Sequence, residues 1–253
     1  MLRHTGQRRT FRHNLRLAVL LCLVAGFVNA AGLLAFSILT TNITGHAASL
    51  AIDLGNGDMT GVAVAFGWLC LFLGGAVFSG WYTGFMGKHK RYVYTVPLFI
   101  EFSILLFVAF QERPFGDAIV QDNYIAGSLL FVMGMQNALV TVISRSVVRT
   151  THLTGIMTDF GISISQAIQT HFSLSRGMKQ RLVLQGNIIL FFLVGGVLGA
   201  FFFHQYGCRV FLIPAGIVMV TIFFDVFRAG YLKIRHRYNF LRTFARTRKT
   251  PYQ

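Results

Sequence analysis

Apolar runs of spanning length recur along this chain, and they limit what it can fold into more than any other feature. They lie at about residues 17–39, 60–86, 93–110, 124–144, 184–204 and 210–228. A helix needs roughly 20 apolar residues to cross the hydrocarbon layer of a bilayer. Each run is too continuous for an amphipathic surface helix, and each is bounded by charge or by a Gly/Pro cluster. The expectation is an all-α polytopic membrane protein with six transmembrane helices, the third the shortest.

Charge sits outside those runs. Only 12% of the 253 residues are charged, against about 25% in a soluble domain. Arg3, Arg8, Arg9, Arg12 and Arg16 precede the first run, and Lys88, Lys90 and Arg91 separate the second from the third. Arg145, Arg149, Arg176, Lys179 and Arg181 lie between the fourth and fifth, and eight more follow the sixth, from Arg228 to Lys249. With the N-terminus inside, six crossings place all of these in the cytoplasm and leave only Arg113 and Arg209 outside. That distribution obeys the positive-inside rule and predicts a multi-pass bacterial inner-membrane protein with both termini cytoplasmic.

A net charge of +15 invites a nucleic-acid reading, but the basic residues flank membrane segments rather than forming a patch on a soluble domain. The basic tails, 1–16 and 229–253, are read instead as resting on anionic lipid headgroups, with no nucleic acid as partner. Val28-Asn29-Ala30 resembles a signal-peptidase site and Arg8-Arg9-Thr10-Phe11 echoes a twin-arginine signal. The apolar run continues past them to Leu39, so this segment is expected to be retained as the first crossing. Cys22, Cys70 and Cys208 are widely spaced, with no CxxC and no metal spacing. No GxSxG, HExxH or P-loop occurs, so neither an enzyme nor a cofactor is expected.

Self-similarity is the next constraint. Gly26-Phe27-Val28-Asn29-Ala30 returns as Gly134-Met135-Gln136-Asn137-Ala138, 108 residues later. Thr40-Thr41-Asn42-Ile43-Thr44-Gly45 returns as Thr150-Thr151-His152-Leu153-Thr154-Gly155, 110 residues later. Gly74-Gly75 in the second run matches Gly195-Gly196 in the fifth, and Arg91 and Pro97 match Arg209 and Pro214. Two halves follow, 17–120 and 121–228, each with three crossings. An odd number of crossings turns the second copy upside down, an inverted repeat of the kind secondary transporters use.

The paired GxxNA and TTxxTG motifs resemble those of the YoaK-like bacterial membrane proteins (domain of unknown function 1275). The resemblance covers roughly residues 17–228 and implies six spans with no established activity. In that family Asp often stands where this chain has Asn29, and TGN where it has Thr44-Gly45-His46.

Candidate site residues follow from the repeat. Asn29 and Asn137 lie about midway along spans one and four, where a carboxamide needs hydrogen-bond partners inside the protein. They either tie helices together or, drawn together by the pseudo-two-fold axis, line a central polar site. The Thr-Gly segments, with Thr40, Thr44, Gly45, Thr150, Thr154 and Gly155, read as turns into half-helices over Ala47–Leu54 and Ile156–Ile168. Free N–H groups at such helix starts suit an anion or polar ligand; plain capping is the alternative. Glu101 is the acidic residue near the middle of a span and a candidate for ion coupling. Asp225 beside Arg228 reads as an interfacial pair. Asp53, Asp159, His46 and His152 are too scattered for a metal site. Gly74, Gly75, Gly80, Gly195, Gly196 and Gly199 read as helix-packing faces. Together these features predict a secondary transporter of a small molecule or ion. A channel, dimeric or not, and a non-transporting membrane scaffold or lipid-binding protein are the other readings, and a homodimer is compatible with all of them.

Overall fold

The computed structural model describes residues 11–86, 93–111, 119–144 and 148–223. The described residues are helical, with no strand. In chain order the helices are α1 (Phe11–Phe36), α2 (Ile43–Asn56), α3 (Met59–Phe85), α4 (Thr95–Ala109), α5 (Ile119–Ser144), α6 (Leu153–Gln169) and α7 (Arg176–Tyr206). A 3₁₀ turn, Gly207–Phe211, then leads into helical residues 212–223. The basic tails, Lys88 to Arg91, Arg113, Arg145 and Asp225 with Arg228 lie outside the described residues.

Among the described residues four segments are long and apolar enough to cross a membrane: Leu15–Phe36, Met59–Phe85, Asn123–Ser144 and Arg176–Phe223. The last runs for 48 residues, more than twice the roughly 20 that one crossing needs. The turn at Gly207, φ 56°, breaks it where the fifth and sixth runs were expected to part. The expected third span is the 15-residue helix α4, about 22 Å long at 1.5 Å per residue.

The short elements have local causes. Asp58 caps α3 by accepting from the N–H groups of Thr60 and Gly61, both at 3.1 Å. The residue before it, Gly57, ends α2 in the left-handed conformation at φ 75°, where a side chain would be strained. Ser175 caps α7 through the Met178 N–H at 3.3 Å.

Burial sorts the helices into an inner and an outer set. In the spans of α1 and α5, 61% and 67% of the most apolar window is buried; in α3 and in the segment carrying α7, only 11% and 17%. Leu17, Leu21, Val24, Phe27 and Val28 from α1 meet Leu129, Leu130, Met133 and Leu139 from α5 in one core. The outer helices turn Phe66, Leu73, Val77, Trp81 and Phe85, and Leu190, Leu193, Val197 and Phe201, outward. Apolar surface of that extent is stable against lipid and not against water. The fold is that of a membrane protein.

Each inner helix is clasped by one outer helix at glycines. A β-carbon at Gly195 would run into the Leu23 carbonyl and one at Gly199 would press on Phe27, so α7 lies backbone to backbone on α1. A β-carbon at Gly26 would strike the Phe192 carbonyl. On the other side, Gly75 of α3 abuts the Phe131 carbonyl and Gly134 of α5 abuts that of Phe72. Small residues permit this approach, and the gain is dispersion between backbones. Gly74 and Gly80, expected in the same packing face, have nothing within 4 Å of a β-carbon.

Candidate functional site

After α1 the chain does not continue outward. Asn29 lies seven residues before the end of α1, about 10 Å down its axis. Yet Thr41, beyond the end of the helix, donates to Asn29 Oδ1 from its N–H at 3.0 Å and from its Oγ1 at 2.9 Å. The segment 37–42 therefore folds back into the molecule, and Ser37 at φ 56° makes the reversal. The short helix α2 then starts from inside. Asn42 caps it, accepting from the Gly45 N–H and the Thr44 Oγ1, both at 3.1 Å. His46, buried, donates its Nε2–H to the Leu39 carbonyl at 2.7 Å and stands edge-on to Trp68 with ring centroids 5.4 Å apart. Every hydrogen bond in this set joins the fold-back to α1 or α2, and the His46–Trp68 ring contact ties α2 to α3.

The same construction follows α5. Asn137 lies seven residues before Ser144, the end of that helix. The Thr151 N–H reaches Asn137 Oδ1 at 3.5 Å, and α6 starts two residues later. Here the cap is missing: His152 makes no side-chain cap bond, and its ring lies over Gly155, where a β-carbon would collide with it. Ile156 and Ile188, both buried, take the places that His46 and Trp68 hold in the first segment at offsets of 110 and 120. Neither forms a polar bond.

Thr40 and Thr150 stand just before the bonded threonines. Both are buried, and the Oγ1 of each lacks a hydrogen-bond partner. Most buried hydroxyls are satisfied, and the same orphan recurs at the same place in both motifs. Thr44 and Thr154 are exposed at the first turns of α2 and α6, with Gly45 and Gly155 beside them.

The carboxamides do not converge. α1 and α5 pass in opposite directions: Gly32 lies beside Leu129, while Gln136 donates from Nε2 to the Leu21 carbonyl at 2.9 Å. That register sets Asn29 and Asn137 about two turns apart along the bundle, each bonded to its own fold-back. The motifs thus form two polar clusters rather than one central site. Glu101, fully buried on α4, joins neither; both its carboxyl oxygens are unpartnered. A cavity of about 360 Å³ between the ends of α4 and α7 is lined by Phe110, Gln111, Tyr206, Cys208 and Arg209. It is remote from both threonine segments in the chain.

Three contributors were not singled out from the sequence. Thr41 and Thr151, rather than Thr40 and Thr150, bind the asparagines; the repeated Thr-Thr doublet contained them. Gln136 joins the inner helices, and its signal was a second carboxamide beside Asn137 in an apolar run. Among the described residues no group of three His, Cys, Asp or Glu side chains is placed to hold a metal ion.

Neither curated proteins nor solved structures give a match to this chain. A family model described as "Protein of unknown function (DUF1275)" matches residues 17–224, which takes in both asparagines, both fold-backs, Glu101 and the glycine clasps. The chain belongs to that family, a group of membrane proteins by its apolar helices and one without an assigned activity.

Proposed function

We propose that the protein is a secondary transporter of a small molecule or ion, in the bacterial inner membrane with both termini cytoplasmic, built from two inverted three-helix repeats. The observation that carries this reading is the doubled fold-back. Twice a core helix is followed by a segment that returns about 10 Å into the protein, leaves a buried threonine hydroxyl unpartnered and starts a short helix. Non-helical backbone at such depth is tolerated where protein buries it or where it lines a polar cavity. In inverted-repeat transporters, broken helices of this kind hold the substrate.

The clasps support the inversion. The Gly195–Leu23 contact corresponds to Gly75–Phe131, and Gly26–Phe192 to Gly134–Phe72, under shifts of 120 residues in the outer helices and 108 in the inner ones. Direction supports six crossings. Gly195 and Gly199 meet Leu23 and Phe27 in the same order, and Leu71 and Gly75 meet Gly127 and Met135 in the same order. Each clasp is therefore parallel. Parallel helices α3 and α5 need an odd number of crossings between them, and α4 is the described helix in that interval. The break at Gly207–Phe211 supplies the return for the sixth.

Alternating access predicts that the two fold-backs open to opposite faces and not at once. In a background with Cys22, Cys70 and Cys208 changed to alanine, Thr40→Cys and Thr150→Cys are labelled in vesicles with a bulky, membrane-impermeant maleimide. Each site is expected to react from one face only, the faces being opposite, and modification at one is expected to protect the other. Reaction of both from the same face removes the inversion. Full and independent reaction of both removes alternation and favours a fixed channel.

A further inference from the structure

Glu101 of α4 differs from the carboxamides of the inner helices. Asn29, Asn137 and Gln136 each hold a bond that ties the fold together. The Glu101 carboxyl is fully buried and holds none: neither oxygen has a hydrogen-bond partner, and no cation among the described residues pairs with it. It therefore adds nothing to the packing that an apolar side chain would not supply. An ionised carboxylate so placed would lack both water and a counter-charge, which is prohibitive. The group is stable there only with its charge neutralised.

Two things can neutralise it, a metal cation or a proton. A hard cation wants several oxygen ligands, and among the described residues no group of acidic, His or Cys side chains assembles around one. Among the described residues the neighbouring elements offer no ionic partner either. α4 packs against α5 and the Gly207–Phe211 turn, and residues 212–223 beyond the turn contain no ionisable side chain. From α5 comes Tyr124, exposed, while the side chain of Asp122 lies outside those described. From the turn come Cys208 and Arg209, which line the cavity at Phe110 and Gln111, about 14 Å from Glu101 along the direction of α4. On α4's own side Tyr94 is buried two turns earlier.

We propose that Glu101 is a proton-binding site, loaded in the conformation described here and emptied only when α4 shifts and admits water. Emptying breaks the carboxyl O–H bond; the electron pair stays on the carboxylate and the proton passes to the entering water. The proton is then the coupling ion of the transporter. What the proton is used for rests on the transport reading; where it sits does not.

The chain contains two glutamates, Glu101 and Glu112, which makes a direct test practical. The full-length protein is prepared with carboxyl-¹³C glutamate, reconstituted in vesicles, and its infrared spectrum taken at neutral pH. The expected result is an isotope-shifted band of a protonated carboxyl, slow to exchange in D₂O and absent from Glu101→Gln. Carboxylate bands alone, or a protonated band that persists in Glu101→Gln, overturn the site; the labelled wild type decides the first point even where the variant fails to fold. Maleimide labelling of Thr40→Cys across a pH series, each rate divided by that of the SDS-denatured protein at the same pH to remove the thiol's own titration, then tests coupling. A pH-dependent ratio that becomes flat on adding Glu101→Gln is expected, and a ratio already independent of pH overturns the coupling role. If labelling shows no alternation while the infrared band is present, the transport reading fails and the proton site stands.

Discussion

The fold-back after α1 and the one after α5 have the same plan and different strength. In the first, Asn29 receives two hydrogen bonds of ordinary length from Thr41, Asn42 caps the short helix, and His46 closes the loop on the Leu39 carbonyl. In the second, Asn137 receives one bond of 3.5 Å, His152 leaves the helix start uncapped, and an isoleucine stands where His46 would be. The connection is also longer, eight residues against six between helices. A duplicated plan with unequal bonding implies that the two ends of the molecule open with unequal ease. Among the described residues the second fold-back holds its asparagine and helix start the more loosely, while Ser144 Oγ accepts from the Val148 N–H at 2.9 Å and donates to its carbonyl at 3.1 Å to close the connection.

The largest expected effect lies in the part the two sides share. A leucine at Gly195 or at Gly75 drives a side chain into the backbone of the facing helix, and neither neighbour can yield without unclasping the pair. Each substitution is expected to cost about 3 kcal/mol, and the two are expected to lower the melting temperature in detergent equally. Gly74→Leu and Gly80→Leu place the same side chain in open space and are expected to leave melting unchanged. If Gly195→Leu is severe and Gly75→Leu is mild, the clasps are not equivalent and the doubled plan is weaker than the contacts suggest.

The asparagines come next and sharpen the inequality. Asn29→Ala removes two bonds and leaves the buried Thr41 N–H and hydroxyl without their acceptor, at a cost of about 1–2 kcal/mol. Asn137→Ala removes one long bond, and about 0.5 kcal/mol is expected, near the mean for polar contacts inside membranes. Thermal unfolding of the two single variants measures the difference. Equal losses would show that the 3.5 Å contact tightens in the folded protein, and the inequality would then rest on the caps alone.

These differences bear on what could be read from the sequence. The repeated motifs marked the neighbourhood of both fold-backs, because a Thr-Gly step after an apolar run departs from the hydrophobic pattern in either copy. Both short helices were legible as half-helices, but they begin before that step, which lies in the first turns of α2 and α6. The return into the protein was not, since it depends on a bond between Asn29 and a threonine 12 residues away, and hydrophobicity carries no trace of such a bond. The separation of Asn29 from Asn137 was hidden for a related reason. Repetition places equivalent residues about an axis, but the register of α1 on α5 fixes their distance from it, and Leu21 with Gln136 sets that register. Gly74 and Gly75 were likewise indistinguishable as letters; only the rotation of α3 decides which of them meets Phe131.

The smallest effects concern the caps, and there the comparison can be reversed by design. Asn42→Ala takes the acceptor from the Gly45 N–H and the Thr44 hydroxyl, a loss of about 1 kcal/mol by the usual scale of N-cap residues. His152→Asn does the opposite. It puts at the head of α6 the residue that caps α2, and it removes the imidazole crowding Gly155, so a gain of about 0.5 kcal/mol is expected. Hydrogen exchange at the first turn of each helix reads both changes locally, which global melting at this magnitude would not. If exchange at the Gly155 N–H slows in His152→Asn toward that at the capped Gly45 N–H in the wild type, the looseness of the second fold-back originates at its cap. If exchange there is unchanged, the looseness originates deeper, in the single long bond from Thr151 to Asn137, and the longer connection between α5 and α6 sets the difference between the two ends.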